Sequence, residues 1–213
     1  MKRVILLSGS TGKLGWCFVQ RYGKEYNIAG VARSAERNNG GHFLIEADIT
    51  KDVDRIVDET LKQFGQIDLL INNAVFYEWN DIKDCNRKSL NKQFNVNVVS
   101  PLLLAAKVYK KFWSTDKYNC QFNRNIVNVS SISAINVYAE GQVGYAASKA
   151  ALNTATLHLA SEFAKCGIRA NAICPNGFPS FIPTEKVADA IVEMDKSSLT
   201  GRIKVIDTKD YFV

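Results

Sequence analysis

The stretch "RVILLSGSTGKLG" at positions 3–15 joins an apolar run to a glycine-rich turn and then to a helical pattern. Its glycines, Gly9, Gly12 and Gly15, have the spacing G-x-x-G-x-x-G. A pyrophosphate must approach backbone N–H groups and the positive end of a helix, and side chains at these positions would block it. The last glycine lets the helix lie close to the sheet. A tight strand–helix turn would also explain the glycines, but their place after the first strand favours a dinucleotide site.

Outward from this turn, apolar runs alternate with helical patterns along the whole chain. Most of the runs are short and uninterrupted, which is typical of strands buried on both faces. The pattern predicts strands at 3–9, 26–33, 42–48, 67–74, 125–131, 168–175 and 202–208, and helices at 13–24, 51–64, 87–113, 144–166 and 184–195. Such alternation predicts an α/β protein whose parallel sheet is covered by helices on both sides.

The composition fits one globular domain with a small anionic ligand. The chain has 213 residues, of which 46% are hydrophobic, so a substantial core can form. The net charge is +6, but the basic residues are spread along the chain, and the densest group is "YKKFW" at 109–113. A nucleic-acid surface would need a basic stripe with interleaved aromatic residues. We therefore expect no nucleic-acid partner. The excess of positive charge is consistent with a solvated surface or with an anionic cofactor or substrate.

The cysteines and the apolar runs indicate the compartment. The five cysteines are scattered, form no CxxC pair and have no metal-ligand spacing with the two histidines. They predict free thiols in a reducing environment and no metal site. The N-terminal apolar run of four residues is too short for a signal peptide, and no run approaches the roughly 20 apolar residues of a membrane span. We expect a cytoplasmic protein without a membrane partner.

The end of the second predicted strand indicates which dinucleotide is bound. An acidic residue there would hold the ribose hydroxyls of NAD, but the sequence "VARSAER" at 31–37 has Arg33, Ser34 and Arg37 instead. Guanidinium and hydroxyl groups can hold a 2′-phosphate through charge-assisted hydrogen bonds. We therefore predict NADP(H) in preference to NAD(H). The alternative is that Arg33 only belongs to a surface loop.

Seven motifs in order resemble the short-chain dehydrogenase/reductase family. They are "SGSTGKLG" (8–15), "EADIT" (46–50), "LLINNAV" (69–75), "FNVNVVSP" (94–101), "IVNVSS" (126–131), "YAASKAAL" (145–152) and "IRANAICP" (168–175). The resemblance covers nearly the whole chain. It implies a single NAD(P)-binding domain over residues 1–213. The implied fold is a Rossmann-type doubly wound, mostly parallel seven-stranded sheet with helices on both faces.

Tyr145 and Lys149 match the catalytic tyrosine and lysine of that family. Four residues apart, they lie on one face of a helix. A free phenol has a pKa near 10, and we expect the nearby ammonium to lower it. The tyrosine could then act as a general acid in reduction or a base in oxidation. The resemblance also implies that Lys149 bonds the nicotinamide ribose.

Two further catalytic residues follow from the resemblance. Ser131 matches the serine that hydrogen-bonds the substrate carbonyl, with Ser130 and Ser133 as close alternatives. Asn97 matches the asparagine that bends a helix and holds a water in the proton relay, with Asn95 as the local alternative.

The resemblance also implies the cofactor contacts. Asp48 and Ile49 are expected to flank the adenine, and Asn73 and Ala74 to line the cofactor beyond the fourth strand. The complete predicted set is Gly9, Ser10, Thr11, Gly12, Lys13, Leu14, Gly15, Arg33, Ser34, Asp48, Ile49, Asn73, Ala74, Tyr145, Lys149 and Pro175.

The sequence departs from the family pattern in three places. The glycines are spaced differently from the usual G-x-x-x-G-x-G, and Val75 stands where the family usually has glycine. The segment after Pro175 is short and lacks the usual helical lid. Closure excludes water from a site, so we expect an open cleft. Its substrate would then be bulky or carrier-borne, or a partner subunit would cover it, with aromatic walls from 76–80 and 136–142.

These features predict an NADPH-dependent oxidoreductase that reduces a ketone or aldehyde to an alcohol, or catalyses the reverse. The alternative is a non-catalytic NADP(H)-binding regulator or scaffold of the same fold. Epimerase or dehydratase chemistry on a nucleotide sugar is a third hypothesis, which the short C-terminal segment disfavours. The predicted helices 87–113 and 144–166 are apolar on more than one face. The family pairs these two helices across a two-fold axis, so we expect a homodimer or homotetramer.

Overall fold

The computed structural model describes residues 2–34, 41–115 and 117–213. Within these ranges the sheet has eight strands in the order β3-β2-β1-β4-β5-β6-β7-β8. They are β1 (Val4–Ser8), β2 (Asn27–Ala32), β3 (Phe43–Glu46), β4 (Leu69–Asn72), β5 (Asn125–Val129), β6 (Arg169–Pro175), β7 (Ile203–Ile206) and β8 (Tyr211–Phe212). The first seven are parallel, and β8 pairs antiparallel with β7. The predicted doubly wound class is confirmed, with one strand more than the predicted seven, because two residues are too few to show a period.

The described part of the chain has six α-helices, five of which pack on the two faces of the sheet. They are α1 (Lys13–Tyr22), α2 (Val53–Phe64), α3 (Arg87–Phe94), α4 (Ser100–Val108), α5 (Val143–Phe163) and α6 (Thr184–Lys196). Helices α1 and α6 pack on one face, where Phe18 and Ile191 are fully buried. Helices α2, α4 and α5 pack on the other face, where Ile56 and Leu104 are fully buried. Among the described residues, no helix is both long enough and apolar enough to span a bilayer.

The predicted helix 87–113 contains two π-helical segments, 95–99 and 109–113. In the first segment the Ser100 N–H bonds the Asn95 carbonyl, five residues back. Pro101 has no N–H to bond the Asn97 carbonyl, so a regular α-helical ladder cannot continue through this point. A π-helical insertion is common at functional sites. Here it places Asn97 in the interior, with only 1% of its surface exposed.

A polar chain in the interior holds α5 against the sheet. The Asn72 amide on β4 donates to Asn128 Oδ1 on β5 over 2.8 Å. The Asn128 amide donates to Thr156 Oγ1 on α5, also over 2.8 Å. Because all three side chains are buried, each bond replaces one that water would otherwise make. The chain therefore fixes the position of α5 along the strands.

A network of charged side chains closes the amino edge of the sheet. Asp195, at 1% exposure near the end of α6, accepts hydrogen bonds from Arg3 (2.7 Å), Tyr26 (3.1 Å) and Asn125 (2.8 Å). These residues precede or begin strands, so the carboxylate joins α6 to the start of β1 and β5. Buried charges persist only when they are paired and hydrogen-bonded. The network therefore holds α6 against the amino edge of the sheet, opposite the carboxyl ends of the strands.

Candidate active site

The glycine turn lies at the carboxyl end of β1 and requires two of its three glycines. Gly9 has φ +71°, and a Cβ there would lie 2.9 Å from the Ala74 Cα. A Cβ on Gly15 would lie 2.2 Å from the Gly9 carbonyl oxygen, so α1 could not approach the turn. At Gly12 the nearest atom would be 3.3 Å away, a milder contact. The turn is thus a tight backbone cradle at the start of a helix, the geometry that suits a phosphate group.

Asn73 holds this cradle in place. Its amide nitrogen donates to the carbonyl oxygens of Ser8 and Gly9, each over 3.0 Å. The Ser8 hydroxyl accepts in return from the backbone N–H groups of Asn73 (3.0 Å) and Ala74 (3.1 Å). The amide of Asn73 is therefore already engaged with the turn.

A cleft of about 1310 Å³ opens at this edge. Ten of the predicted cofactor residues line it: Gly9, Thr11, Gly12, Lys13, Leu14, Arg33, Asp48, Ile49, Asn73 and Ala74. Ser10 is fully buried behind the turn, where its hydroxyl lies 3.3 Å from His42 Nε2. Ser34 is exposed beside Arg33, Pro175 is buried at the end of β6, and Arg37 lies outside the described residues.

The lining of the cleft is strongly basic. Its charged members in the described structure are Lys13, Arg33, Arg87, Lys88 and Lys92, against one carboxylate, Asp48. The three cations of α3 were not predicted as site residues. Arg87 and Lys88 begin this helix and Lys92 lies in its last turn, so a local signal for them was their shared helix face. A glycine cradle with surrounding cations fits the phosphates of a nicotinamide dinucleotide.

Lys149 lies in the interior and, like Tyr145 and Ser131, is not among the residues that line the cleft. Its ammonium is buried and donates to the Val129 carbonyl over 2.7 Å. It lies 5.9 Å from the centre of the Tyr145 ring. Burial lowers the pKa of Lys149 to about 8. The group is therefore largely protonated at neutral pH and titrates within reach of physiological conditions.

The expected lowering of the Tyr145 pKa is wrong for the free protein. Burial is the largest influence and raises the pKa of this phenol above its usual value near 10. A hydrogen bond with the Ser131 hydroxyl opposes the increase but does not outweigh it. Desolvation penalises the phenolate more than one neighbouring hydroxyl stabilises it. Tyr145 is therefore protonated at neutral pH and ready to donate its proton.

The three candidate serines have different partners. The Ser130 hydroxyl donates to the Lys149 carbonyl over 3.1 Å, and the Ser133 hydroxyl donates to Gln142 Oε1 over 2.9 Å. The Ser131 hydroxyl accepts the Ser133 N–H over 3.2 Å and is hydrogen-bonded with Tyr145. Among these three hydroxyls, that of Ser131 is the one that meets the phenol.

The two candidate asparagines also differ. Asn97 exchanges two hydrogen bonds of 2.9 Å with the backbone of Phe76, and its amide donates to Ser148 Oγ over 3.0 Å. Asn95 is exposed at the cleft wall. Asn97 thus ties the segment after β4 to α5, beside Tyr145.

The segments 76–80 and 136–142, where the sequence predicts aromatic walls, carry several aromatic side chains, one of which packs on the Tyr145 ring. The edge of Tyr77 packs on Tyr145 with ring centres 4.9 Å apart, and Trp79 lies 5.7 Å from Tyr77. Tyr138 packs against Phe181 at 5.8 Å. The segment 176–183 between β6 and α6 consists of turns, without the helical lid of the family.

Comparison with known proteins now identifies the family. Residues 3–190 match the short chain dehydrogenase family. The chain belongs to the short-chain dehydrogenase family. An uncharacterised oxidoreductase of Thermotoga maritima is 34% identical to this chain over 136 residues, which are 64% of the chain and 51% of that protein. This short-chain dehydrogenase thus spans about half the length of that relative.

Solved structures share the fold at low sequence identity. A short chain dehydrogenase from Mycobacterium avium has a TM-score of 0.87 at 18% identity, over 100% of this chain and 84% of that one. The RhlG/NADP active-site complex of Pseudomonas aeruginosa has a TM-score of 0.86 at 20% identity, over 96% and 94%. A Brucella ovis oxidoreductase with partially ordered NAD has a TM-score of 0.82 at 24% identity, over 97% and 100%.

Within the described residues of this short-chain dehydrogenase, no group of three or more histidine, cysteine or acidic side chains could hold a metal ion. All five cysteines are free thiols. Sequence reasoning missed the role of Gln142, which joins the Ser131 turn to Tyr77. Its signal was weak, because a glutamine just before a helix is usually solvated.

Proposed function

We propose that this short-chain dehydrogenase is a nicotinamide-dependent oxidoreductase that reduces a ketone or aldehyde to an alcohol, or catalyses the reverse, with a preference for NADP(H). The observation that carries the proposal is the cluster of Tyr145, Ser131 and Lys149 at the carboxyl edge that also holds the basic glycine-turn cleft. A proton donor beside a dinucleotide cleft is the arrangement that carbonyl reduction requires.

Each side chain has a defined part in this reaction. A bound nicotinamide supplies the hydride in reduction and accepts it in oxidation. The Ser131 hydroxyl orients the substrate oxygen, and Tyr145, protonated at neutral pH, donates its proton to that oxygen. The Lys149 ammonium stabilises the phenolate that remains. Asn97 holds α5 and the Phe76 backbone together, and the family resemblance assigns it the relay water.

Turnover tests the catalytic part of the proposal. We expect the protein to oxidise NADPH in the presence of an aromatic ketone or quinone from a carbonyl panel. Tyr145→Phe should lower kcat by about a thousandfold or more while the Kd for NADPH stays unchanged, because the variant loses only the proton donor. Tyr211→Phe, on the exposed strand β8, is the matched control. A Tyr145→Phe variant that keeps most of its turnover would remove Tyr145 from this role.

A non-catalytic NADP(H)-binding scaffold is the second candidate. It is favoured by Val75, which is 53% exposed and lines the cleft where the family usually has glycine. The absence of a helical lid in 176–183 points the same way. Tight NADPH binding without oxidation by any carbonyl in the panel would favour this candidate over the enzyme.

Cofactor choice is tested by binding. Arg33 is exposed at the end of β2 and lines the cleft, so it suits a 2′-phosphate. The solved neighbours include one complex with NADP and one with NAD. We expect NADPH to bind more tightly than NADH by fluorescence titration. Arg33→Ala should weaken NADPH about 10–100-fold and NADH less than about threefold. Lys62→Ala on α2 is the control. Equal affinities of the wild type for NADPH and NADH would contradict the proposed preference for NADP(H).

The open rim supports a small-molecule carbonyl or alcohol substrate with aromatic or apolar character. Tyr77, Trp79, Tyr138 and Phe181 are between 40% and 62% exposed. Exposed apolar surface beside a polar site favours ligand binding. Without a lid, a bulky or carrier-borne substrate would supply its own cover. Activity should therefore rise with aryl substituents across a ketone series, and a preference for short aliphatic ketones would oppose this assignment.

We propose a homodimer from exposed apolar residues on two helical regions of the chain. Val99, the last residue of the π-helical segment 95–99, lies one turn before Leu103 on α4, and Val143 and Leu157 lie on α5. Each is between 42% and 48% exposed. Burying such a stripe against a second copy is favourable. Sedimentation at micromolar concentration should show a dimer or tetramer, and Leu103→Glu should reduce it to monomer. A monomeric wild type would refute the assembly.

A further inference from the structure

Gln142 lies between two parts of the site, the turn that carries Ser131 and the segment that carries Tyr77. It is 8% exposed and lies just before α5. Its Oε1 accepts from the Ser133 hydroxyl over 2.9 Å. Its side chain also acts on the Tyr77 phenol and lowers the pKa of that phenol, against the larger effect of burial. The side chain makes no capping bond to α5, so both of its polar ends serve other elements.

Both partners of Gln142 lead to Tyr145. Tyr77 packs its ring against that of Tyr145 at 4.9 Å, with the planes at 81°. Ser133 donates its N–H to the Ser131 hydroxyl, which is hydrogen-bonded with Tyr145. The contacts therefore form a closed circuit around the phenol, through one arm of aromatic packing and one arm of hydroxyl groups.

Both partners of Gln142 lie outside the α-helices and strands. Tyr77 lies in the segment between β4 and the turn Ile82–Asp84, outside any helix or strand, and is 41% exposed. Ser133 lies in a three-residue 3₁₀ turn. A side chain that holds a proton donor within a fraction of an ångström can change a rate strongly without touching the substrate. Loss of the glutamine amide would leave both arms without their shared partner.

We propose that Gln142 is a positioning residue for the proton donor: it holds the Tyr77 ring against Tyr145 and the Ser131 turn against the Tyr145 hydroxyl. This inference rests on the proposed function, in which Tyr145 donates the proton.

Three variants separate the two arms. Gln142→Met breaks both links with little change of volume, Ser133→Ala breaks the hydroxyl arm, and Tyr77→Phe breaks the phenol link but keeps the ring. Gln63→Met, the same exchange on the exposed surface of α2, is the matched control.

Kinetics use NADPH with 9,10-phenanthrenequinone as the carbonyl probe. A second measurement needs no turnover: the protein is labelled with ¹³Cζ-tyrosine, and Tyr145, assigned by comparison with Tyr145→Phe, is titrated by NMR.

We expect Gln142→Met to lower kcat about 10–100-fold while the Kd for NADPH changes less than about threefold. Gln142→Met and Ser133→Ala should both raise the pKa of Tyr145, because the Ser131 bond that lowers it is loosened. The double variant Gln142→Met/Tyr77→Phe should be no slower than Gln142→Met, because the two residues act in one circuit.

Different failures are distinguishable. If Gln142→Met keeps kcat within twofold and the Tyr145 titration matches that of Gln63→Met, Gln142 only packs and the inference is overturned. If the wild type shows no turnover but the titration shifts in Gln142→Met and Ser133→Ala, the positioning role stands while the proposed reaction fails. If Gln142→Met does not fold, Ser133→Ala and Tyr77→Phe decide by the same titration, and two unshifted curves would reject the inference.

Discussion

At the scale of single residues, Lys149 brings an ammonium group into the interior with a backbone carbonyl as its hydrogen-bond acceptor. Burial disfavours the charged form, which is why its pKa falls to about 8. The same burial keeps the phenol of Tyr145 protonated. Tyr145 and Lys149 therefore place a protonated phenol beside a cation, and burial of that cation lowers the free energy of unfolding. Such conflicts are expected at functional sites.

Lys149→Met should make the free protein more stable at neutral pH. The folded pKa of about 8 lies below the unfolded value of about 10.4, so between these pH values the unfolded chain binds more protons. Wild-type stability therefore rises with pH in that window, and below it the buried charge lowers the free energy of unfolding. We expect a gain of about 1–3 kcal/mol at pH 7, reduced by the loss of the bond to Val129.

Urea unfolding at pH 7 and pH 9.5 checks this expectation. The advantage of Lys149→Met should shrink at the higher pH, while Lys62→Met on the surface of α2 should match the wild type at both. A variant less stable than the wild type at pH 7, or a pH-independent gap, would contradict the argument.

The residue scale also shows where sequence reasoning stops. The spacing of Tyr145 and Lys149 fixes their shared helix face, because the helical period is local. Whether the pKa of Tyr145 rises or falls cannot be read from the local sequence. It depends on burial, and residues such as Tyr77 that bury the phenol come from other elements. Likewise, the neighbouring hydroxyls of Ser130 and Ser131 differ only in the partners that the fold brings to them.

At the scale of elements, the π-helical segment 95–99 decides which asparagine enters the site. The sequence predicts one helix from 87 to 113, because a one-residue change in hydrogen-bond register leaves the apolar pattern almost intact. It therefore could not separate Asn97 from Asn95. The strands were more predictable, since runs such as 3–9 and 67–74 are short, apolar and followed by turn residues. The two-residue strand β8 carries no such pattern.

Asn97→Leu should destabilise the protein by about 2–4 kcal/mol, and Asn95→Leu by less than about 0.5 kcal/mol. Asn97 satisfies both backbone groups of Phe76 and bonds Ser148, whereas Asn95 is exposed. Thermal and urea unfolding measure the difference. Equal losses at the two positions would mean that the buried contacts of Asn97 with Phe76 and Ser148 do not stabilise the packing of segment 95–99 on α5.

At the scale of the whole molecule, the two edges of the sheet have separate tasks. Charged and amide groups around Asp195 and Asp68 close the amino edge, and the cleft and Tyr145 lie at the carboxyl edge. The sequence predicted the second edge, because its residues follow strands directly. It did not predict the first, because Arg3 and Asp195 are 192 residues apart and no local pattern joins them.

Asp195→Asn should lower the free energy of unfolding by about 1–3 kcal/mol and leave the Kd for NADPH unchanged. The variant weakens the bonds from Arg3, Tyr26 and Asn125 without touching the cleft. Urea unfolding and NADPH fluorescence titration are the two measurements, with Glu162→Gln on the exposed surface of α5 as control. A change of NADPH affinity above about threefold would show that the two edges are coupled.

The separation of the edges also bears on how this protein can change over evolutionary time. The rim loop 75–80 packs on the Tyr145 ring, and the loops 136–142 and 176–183 pack on each other through Tyr138 and Phe181. The buried ionic contacts of Asp195 lie at the other end of the strands. Mutations in the rim loops therefore leave the buried contacts of Asp195 unchanged. A combinatorial library confined to these loops, sparing Gly141 and Gln142, should yield mostly folded members with altered selectivity. New substrate ranges would then be accessible by drift rather than by redesign of the scaffold.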